Sequence, residues 1–317
     1  MRLCRIKHAG REEVAFYFEE GCLPLSVAAE RTGGVISASR TLVDYLPGGT
    51  ERTAVLQIQQ RLESLGMGEW SDSLLPAGEA TGGVRLRVPI ESPGKILLLA
   101  GNYSKHIEEG GGKAEEREKT FPYVFMKPPA TTLTHPGDPV RIPSVSPNEI
   151  DWELELGVVI GRRCFGVSEA EALEYVAGYT IVNDISDRAF HPNAQRNERP
   201  KDQFFDWLHG KWHDTFCPMG PCVLPADELS DPQQLRLTLT INGQVEQEGS
   251  TSQMVFPVAA VIAFISSFVT LQPGDIISTG TPHGVGKAKG RFLKPGDEMS
   301  GTIERIGTLH NPVAASE

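Results

Sequence analysis

In the stretch EIDWELELGVVIGRRC, residues 149–164, Asp151, Glu153 and Glu155 share one parity, while Trp152, Leu154, Leu156, Val158 and Ile160 share the other. That alternation describes a strand with an acidic face and an apolar face, continuing as GVVIG, which is apolar on both. Carboxylates aligned this way either meet solvent or hold a cation in a cleft. A further acid, Asp184, interrupts the otherwise apolar GYTIVND at residues 178–184. A carboxylate buried there must be paired, protonated or bound to a metal. Glu153, Glu155 and Asp184 offer the all-oxygen donor set of a hard divalent cation, with positions left for water and substrate oxygens. No His or Cys stands close to them in sequence, which disfavours zinc.

A second group lies in LLLAGNYSKHIEEGGGK, residues 97–113, where an apolar strand ends at Asn102-Tyr103 and His106 and Glu109 follow three apart. On one helical turn the two face each other, and Glu109 can orient His106 as a general base; on an open loop they are solvated. The next residues, GGGKAEEREK at 110–119, read as a solvated loop or as a lid that orders over a ligand. Arg188 follows Asp184 by one turn's spacing, and Lys211 sits among aromatics in DWLHGKWHD. Each is a surface cation or the positive charge that an anionic substrate requires. Thr279-Gly280-Thr281-Pro282, with Gly284 and Gly286 behind, can present hydroxyls and backbone N–H groups to a carboxylate, or can simply end a strand.

The elements that must position these groups are mostly strands. RLCRIKH and EEVAFYFEE predict a pair joined by AGR, and residues 52–65 place Val55, Leu56, Ile58, Leu62 and Leu65 at helical spacing. ESPGK at 91–95 marks a boundary before the buried strand ILLLA, giving a small α+β N-terminal domain at 1–92 and a second domain at 93–317. SEAEALEYVAG predicts a short helix with Ser168 and Glu171 as a capping box, ending at Gly178. LRLTLTING ends in an Asn242-Gly243 hairpin turn, and PVAAVIAFISSFV predicts a buried helix with Pro257 at its first position.

A formal net charge of −11 argues against nucleic acid or an anionic membrane as the main partner. The N-terminus lacks the apolar core of a signal peptide, and no stretch reads as a membrane span. The five cysteines are scattered, and Cys217 and Cys222 do not match a zinc-knuckle spacing, so reduced thiols in a cytoplasm are expected.

Taken in order, GNYSKHIEE, YVFMKPP, DWELELGVVIGRRC, AGYTIVNDISDR, HGKWHDTFCPMGP, INGQVEQEGSTSQMVF and PGDIISTGTPHGVG resemble the fumarylacetoacetate hydrolase family over roughly residues 93–313. The resemblance implies an α+β fold, a mixed β-sandwich roll, assembled as a homodimer around a Mg²⁺ or Mn²⁺ site. It implies metal carboxylates at Glu153, Glu155 and Asp184, and a catalytic dyad of His106 and Glu109 with Lys211. Substrate contacts are implied at Arg188, Thr281, Tyr103 and His191. Trp152, His191 and Gly101 depart from residues common in the family, Gly101 standing where a larger one is frequent.

The implied substrates are small 2-oxo acids, and the implied reaction is metal-dependent hydrolysis of a C–C bond in an acylpyruvate-type diketo acid. The same site would serve decarboxylation of oxaloacetate, or isomerisation or hydration of a hydroxy-dienoate. A non-catalytic metal-binding β-sandwich is the competing class. A complete dyad beside a lysine argues against it, because a binder needs no general base.

Overall fold

The computed structural model describes residues 1–37, 41–77, 83–113 and 117–316. Strands β1 (Arg2–His8) and β2 (Arg11–Phe18) close across Ala9-Gly10, whose φ angles of 48° and 77° make the tight primed turn that hairpin twist favours. β3 (Gly21–Pro24) leads into α1 (Leu25–Thr32), and α2 runs over Arg52–Leu65 as its spacing predicts. β4 (Arg85–Arg87), β5 (Ile96–Ala100), the short α3 (Ser104–Glu109) and β6 (Tyr123–Lys127) follow. After the single turn α4 (Pro129–Thr132) come β7 (Leu133–Thr134), β8 (Val140–Ile142), β9 (Ile150–Asp151) and β10 (Leu154–Ile160). β11 (Val176–Asn183), β12 (Ser186–Asp187), α5 (Asp202–His209) and β13 (Cys217–Pro225) continue the chain. It ends with the hairpin β14 (Arg236–Ile241) and β15 (Gln244–Ser250), α6 (Val258–Ser266), β16 (Ile276–Ser278), α7 (Gly286–Lys289), β17 (Glu298–Ile303) and β18 (Gly307–Ala315).

The fold is α+β and sheet-rich, with mixed strand directions and no closed barrel among the described residues. The larger sheet runs β3-β2-β1-β13-β11-β10-β16-β5-β6, with β4 against β1 and β7 against β13. The first strands therefore extend the same sheet that carries β10, through the pairing of Leu3 with Val223. A five-stranded sheet, β15-β14-β17-β18-β8, packs on one face, where Leu154, Leu156 and Val158 meet Leu237, Leu239, Met299 and Ile303. On the other face Val159, Val182 and Ile276 share a core with Ala28, Val55, Ile58 and Leu62 of α1 and α2. β10 is thus covered on both sides, which is why its second half is apolar at every position.

Three local expectations are corrected. Residues 168–178 form no α-helix: a 3₁₀ turn over Ala172–Tyr175 leads straight into β11, and Gly178 lies inside that strand. A Cβ at Gly178 would stand 2.5 Å from the Leu224 carbonyl oxygen, so close strand contact rather than helix termination requires glycine here. Pro257 precedes α6 as its N-cap instead of opening it. Finally, the acidic strand is broken: β9 ends at Asp151 and β10 begins at Leu154, with Trp152 and Glu153 between.

Four neighbouring strands explain where the site lies. β5 and β16 are parallel, and β10 is antiparallel to both β16 and β11. The C-terminal ends of β5, β16 and β11 therefore share one edge with the N-terminal end of β10. Every group singled out for chemistry in residues 101–109, 153–155, 184 and 279–281 leaves the sheet at that edge.

Candidate active site

Glu153, Glu155 and Asp184 converge there, each buried, with one carboxylate oxygen apiece lying within 4.8 Å of the others. Glu155 Oε2 accepts from Ser278 Oγ at 2.6 Å and from the Gly280 N–H at 2.9 Å, while its Oε1 is buried without a partner. Burial, then the charges of Asp184 and Glu153, push the Glu155 carboxyl well above its ordinary range. Burial would raise Glu153 as well, but Lys211 and Arg188 outweigh it and hold that carboxyl well below its usual value. An orphaned buried oxygen beside two more carboxylates fits a hard divalent cation with oxygen ligands.

Three cations surround the acids. Lys211 Nζ donates to Glu153 Oε2 at 2.8 Å and to Asp184 Oδ2 at 2.6 Å. Arg188 donates to Asp151 Oδ2 at 2.9 Å and to Glu153 Oε1. Lys127, absent from the sequence reading of the site, is fully buried and donates to the carbonyl oxygens of Ile185 at 2.7 Å and Phe216 at 2.5 Å. Its ammonium forms an ion pair with Asp184 Oδ1 at 2.7 Å. Burial lowers the Lys127 pKa despite the pull of Asp184; burial also opposes the charge of Lys211, but there Asp184 and Glu153 prevail and raise it. The only signal for Lys127 in the sequence was a lysine closing the strand YVFMK.

The dyad forms as its spacing predicts. His106 Nδ1 is 2.9 Å from Glu109 Oε1 across one turn of α3, and the Gly284 N–H donates to both Glu109 oxygens at 3.1 and 2.9 Å. Glu109 is lowered: burial works against this, and the bonds from His106 and Gly284 overcome it. The turn into α3 is pinned by Asn102, whose side chain donates to Thr279 O and Phe256 O and accepts from the Phe256 N–H. Thr281 Oγ donates to Leu154 O at 2.9 Å and accepts from Gln247 Nε2 at 2.8 Å, so β15 of the smaller sheet fixes this loop.

A cavity of about 170 Å³ brings together Gly101, His106, Glu153, Arg188, Lys211 and Thr281, with Trp207 on its wall. Glu155 and Asp184 are fully buried residues that do not line it. Two expected substrate contacts are also off this wall. Tyr103 is buried, its hydroxyl unpartnered and its pKa raised by burial and then by Glu155. His191 is 44 % exposed, 3.1 Å from Asp206 Oδ2, and lines a neighbouring cavity that shares Arg188 and Trp207. Trp152 is core, its indole N–H donating to Gly284 O at 3.1 Å. Asp151 does not join the metal cluster, because the break after β9 turns it towards the Gly286 and Lys287 N–H groups and Arg188. The expected lid at 110–119 includes residues 114–116, outside the described ones.

The chain is similar to known proteins over most of its length. The profile described as "Fumarylacetoacetate (FAA) hydrolase C-terminal" matches residues 95–314. The chain is 42 % identical over 257 residues to the 2,4-didehydro-3-deoxy-L-rhamnonate hydrolase of Sphingomonas sp. (strain SKA58), covering 80 % of this chain and 84 % of that protein. It is 36 % identical over 290 residues to the mitochondrial oxaloacetate tautomerase FAHD2A of Homo sapiens, covering 89 % and 84 %. The crystal structure of a 5-carboxymethyl-2-hydroxymuconate delta-isomerase from Mycobacterium smegmatis superposes with a TM-score of 0.70 at 30 % identity, covering all of both chains.

Proposed function

The chain belongs to the fumarylacetoacetate hydrolase family of enzymes, and from that premise we propose that it hydrolyses the C–C bond of an acylpyruvate, a 2,4-dioxo acid. The observation carrying this reading is the placement of the His106–Glu109 dyad, Arg188, Lys211 and Thr281 around one cavity, beside three converging carboxylates. The name of the 42 % identical relative supports it, since 2,4-didehydro-3-deoxy describes carbonyls at positions 2 and 4 flanking a methylene.

Charge balance favours an anionic substrate. Asp151, Glu153, Glu155 and Asp184 are four buried carboxylates facing the three cations Lys127, Lys211 and Arg188. With every group ionised, one negative charge remains. A divalent ion held by Glu153, Glu155 and Asp184 would reverse the sign of this cluster, and when bound it would supply positive charge to the oxo groups of the substrate.

The chain's own groups do the rest. Arg188 and the backbone N–H of Thr281 bind the carboxylate, and the Lys211 ammonium faces the oxygen on which charge develops. Glu109 holds Nδ1–H of His106, leaving Nε2 to take a proton from water as its oxygen attacks the acyl carbon. The C3–C4 bond then breaks, and its electron pair passes to C3, which gains a proton to give pyruvate beside the released carboxylic acid.

Pyruvate release from acetylpyruvate by Mg²⁺-loaded protein, lost with a chelator and restored by Mg²⁺, is the expected result; no release, or release indifferent to chelation, would overturn the reading. The similarity to an oxaloacetate tautomerase supports a second reading, in which the same base moves a proton without admitting water. Accelerated enol–keto exchange of oxaloacetate, with no acylpyruvate cleaved, would favour it.

A further inference from the structure

At about 170 Å³, the cavity beside His106 is smaller than the roughly 300–1,000 Å³ usual for a small-molecule site. It has room for the 2-oxo acid end of a substrate, and the acyl group must continue elsewhere. Two neighbouring cavities adjoin it. One, of about 410 Å³, lies beyond Arg188 and Trp207 and is lined by polar groups including His191, Gln203 and Lys287. The other, of about 310 Å³, shares Ala100 and Gly101 with the first and is walled mainly by Ile107, Phe121, Tyr123, Val255 and Phe256. Lys113, Thr120 and the hydroxyl of Tyr123 are its polar side-chain groups.

Resting on the hydrolase reading, we propose that the acyl group occupies this second, apolar cavity, that Gly101 is the doorway to it, and that the preferred substrates are acylpyruvates with an unbranched apolar acyl chain of several carbons. The direction follows from the two ends of the reaction. Arg188, which holds the carboxylate, adjoins the polar cavity. The acyl carbon meets water at His106 on α3, and the next residue, Ile107, walls the apolar one. A chain leaving the acyl carbon away from the carboxylate passes Gly101.

That residue has φ +66° and no side chain in the gap. A Cβ there would stand 3.4 Å from Ile107 Cγ1 and 3.8 Å from its Cδ1, so a larger side chain would extend along the Ile107 wall at the point where the two cavities share residues. Glycine at this position therefore sets substrate length as well as satisfying the left-handed backbone.

The test compares hexanoylpyruvate, acetylpyruvate and lactoylpyruvate on Mg²⁺-loaded protein. Each buried methylene is worth about a fourfold factor, so hexanoylpyruvate, with four more than acetylpyruvate, should lead in kcat/KM by at least about tenfold even if only half are seated. In Gly101→Asn, chosen because Asn tolerates left-handed φ, that ratio should collapse towards one. The ratio, not either rate, is the readout, so a general loss from strain does not count. Phe121→Ser, at a residue 57 % exposed and safe for folding, should lower the ratio by a smaller factor.

Preference for acetylpyruvate or lactoylpyruvate, or a ratio that survives Gly101→Asn, overturns the inference and sends the acyl group to the polar cavity. If no acylpyruvate is cleaved at all, the hydrolase reading fails separately. Calorimetric affinities of the intact hexanoyl and acetyl compounds for wild type and Gly101→Asn then decide the cavity question by the same ratio.

Discussion

At the scale of single residues, His106 and Glu109 carry the sharpest expectations. With Nδ1 engaged by Glu109, the ring presents Nε2 as its basic atom, and removing it takes away a proton acceptor without touching a carboxylate of the cluster. His106→Ala should lower kcat by about 10²–10⁴-fold while Mg²⁺ affinity, read by calorimetry, stays as in wild type; loss of both would make His106 structural. Glu109 gives a pH prediction. A carboxyl held below its ordinary value stabilises the fold at every pH above about 4.3, and this contribution fades only as the pH falls through the lower folded value. The part of the Tm difference between wild type and Glu109→Gln that belongs to the carboxyl should therefore be lost only below about pH 4.3; curves that still stand apart in strong acid, well below that value, would contradict this. These residues were legible in the sequence because i, i+3 spacing on any helical turn brings them together, whatever the rest of the chain does. Lys127 was not, since a lysine at a strand end is ordinarily solvated, and only the fold reveals that its ammonium is enclosed.

At the scale of elements, strand parity was a good guide up to the point where a strand breaks. Glu153 and Glu155 reach the cluster as their alternation predicts, but the irregular step at Trp152 and Glu153 sends Asp151 to the N-terminus of α7 and to Arg188 instead. No local pattern announces such a break, because the acidic and apolar residues alternate without interruption from Asp151 to Leu156 and all of them are buried. The helix expected at 168–178 failed for a related reason: the Ser168–Glu171 contact exists, yet β11 claims the residues after Tyr175 by pairing with β10 and β13. Lys127 ties several of these elements together, joining the end of β6 to Ile185 after β11 and to Phe216 before β13. Lys127→Met would leave two buried carbonyl oxygens unsatisfied and Asp184 with Lys211 as its one remaining cation neighbour among the described residues. The expected loss is about 3–5 kcal/mol of stability in denaturant titration, and a loss below about 1 kcal/mol would show that water replaces the ammonium.

At the scale of the whole molecule, the sheet has an edge to account for. β6 ends the strand order and exposes Tyr123 and Met126, while α5 and the turn after it add Phe204, Phe205 and Trp212, each at least 40 % exposed. Such an apolar rim beside an unpaired edge strand is what protein surfaces avoid unless something covers it. A homodimer, which the sequence resemblance implies, would supply a cover, and we propose that its contact lies here. The inner side of α5 matters too: Trp207 packs on Phe125 at 4.9 Å and lines the cavity, and Lys211 Nζ lies 5.8 Å from its ring centroid. A partner seated on Phe204 and Phe205 would thus hold the helix that shapes the cavity wall. Sedimentation of wild type should give twice the 34.5 kDa of one chain, and Phe205→Asp, which places a charge on the rim, should give monomer with a raised KM. A wild-type monomer, or a Phe205→Asp dimer as tight as wild type, would show that the contact lies elsewhere and that α5 is held by its own aromatic packing.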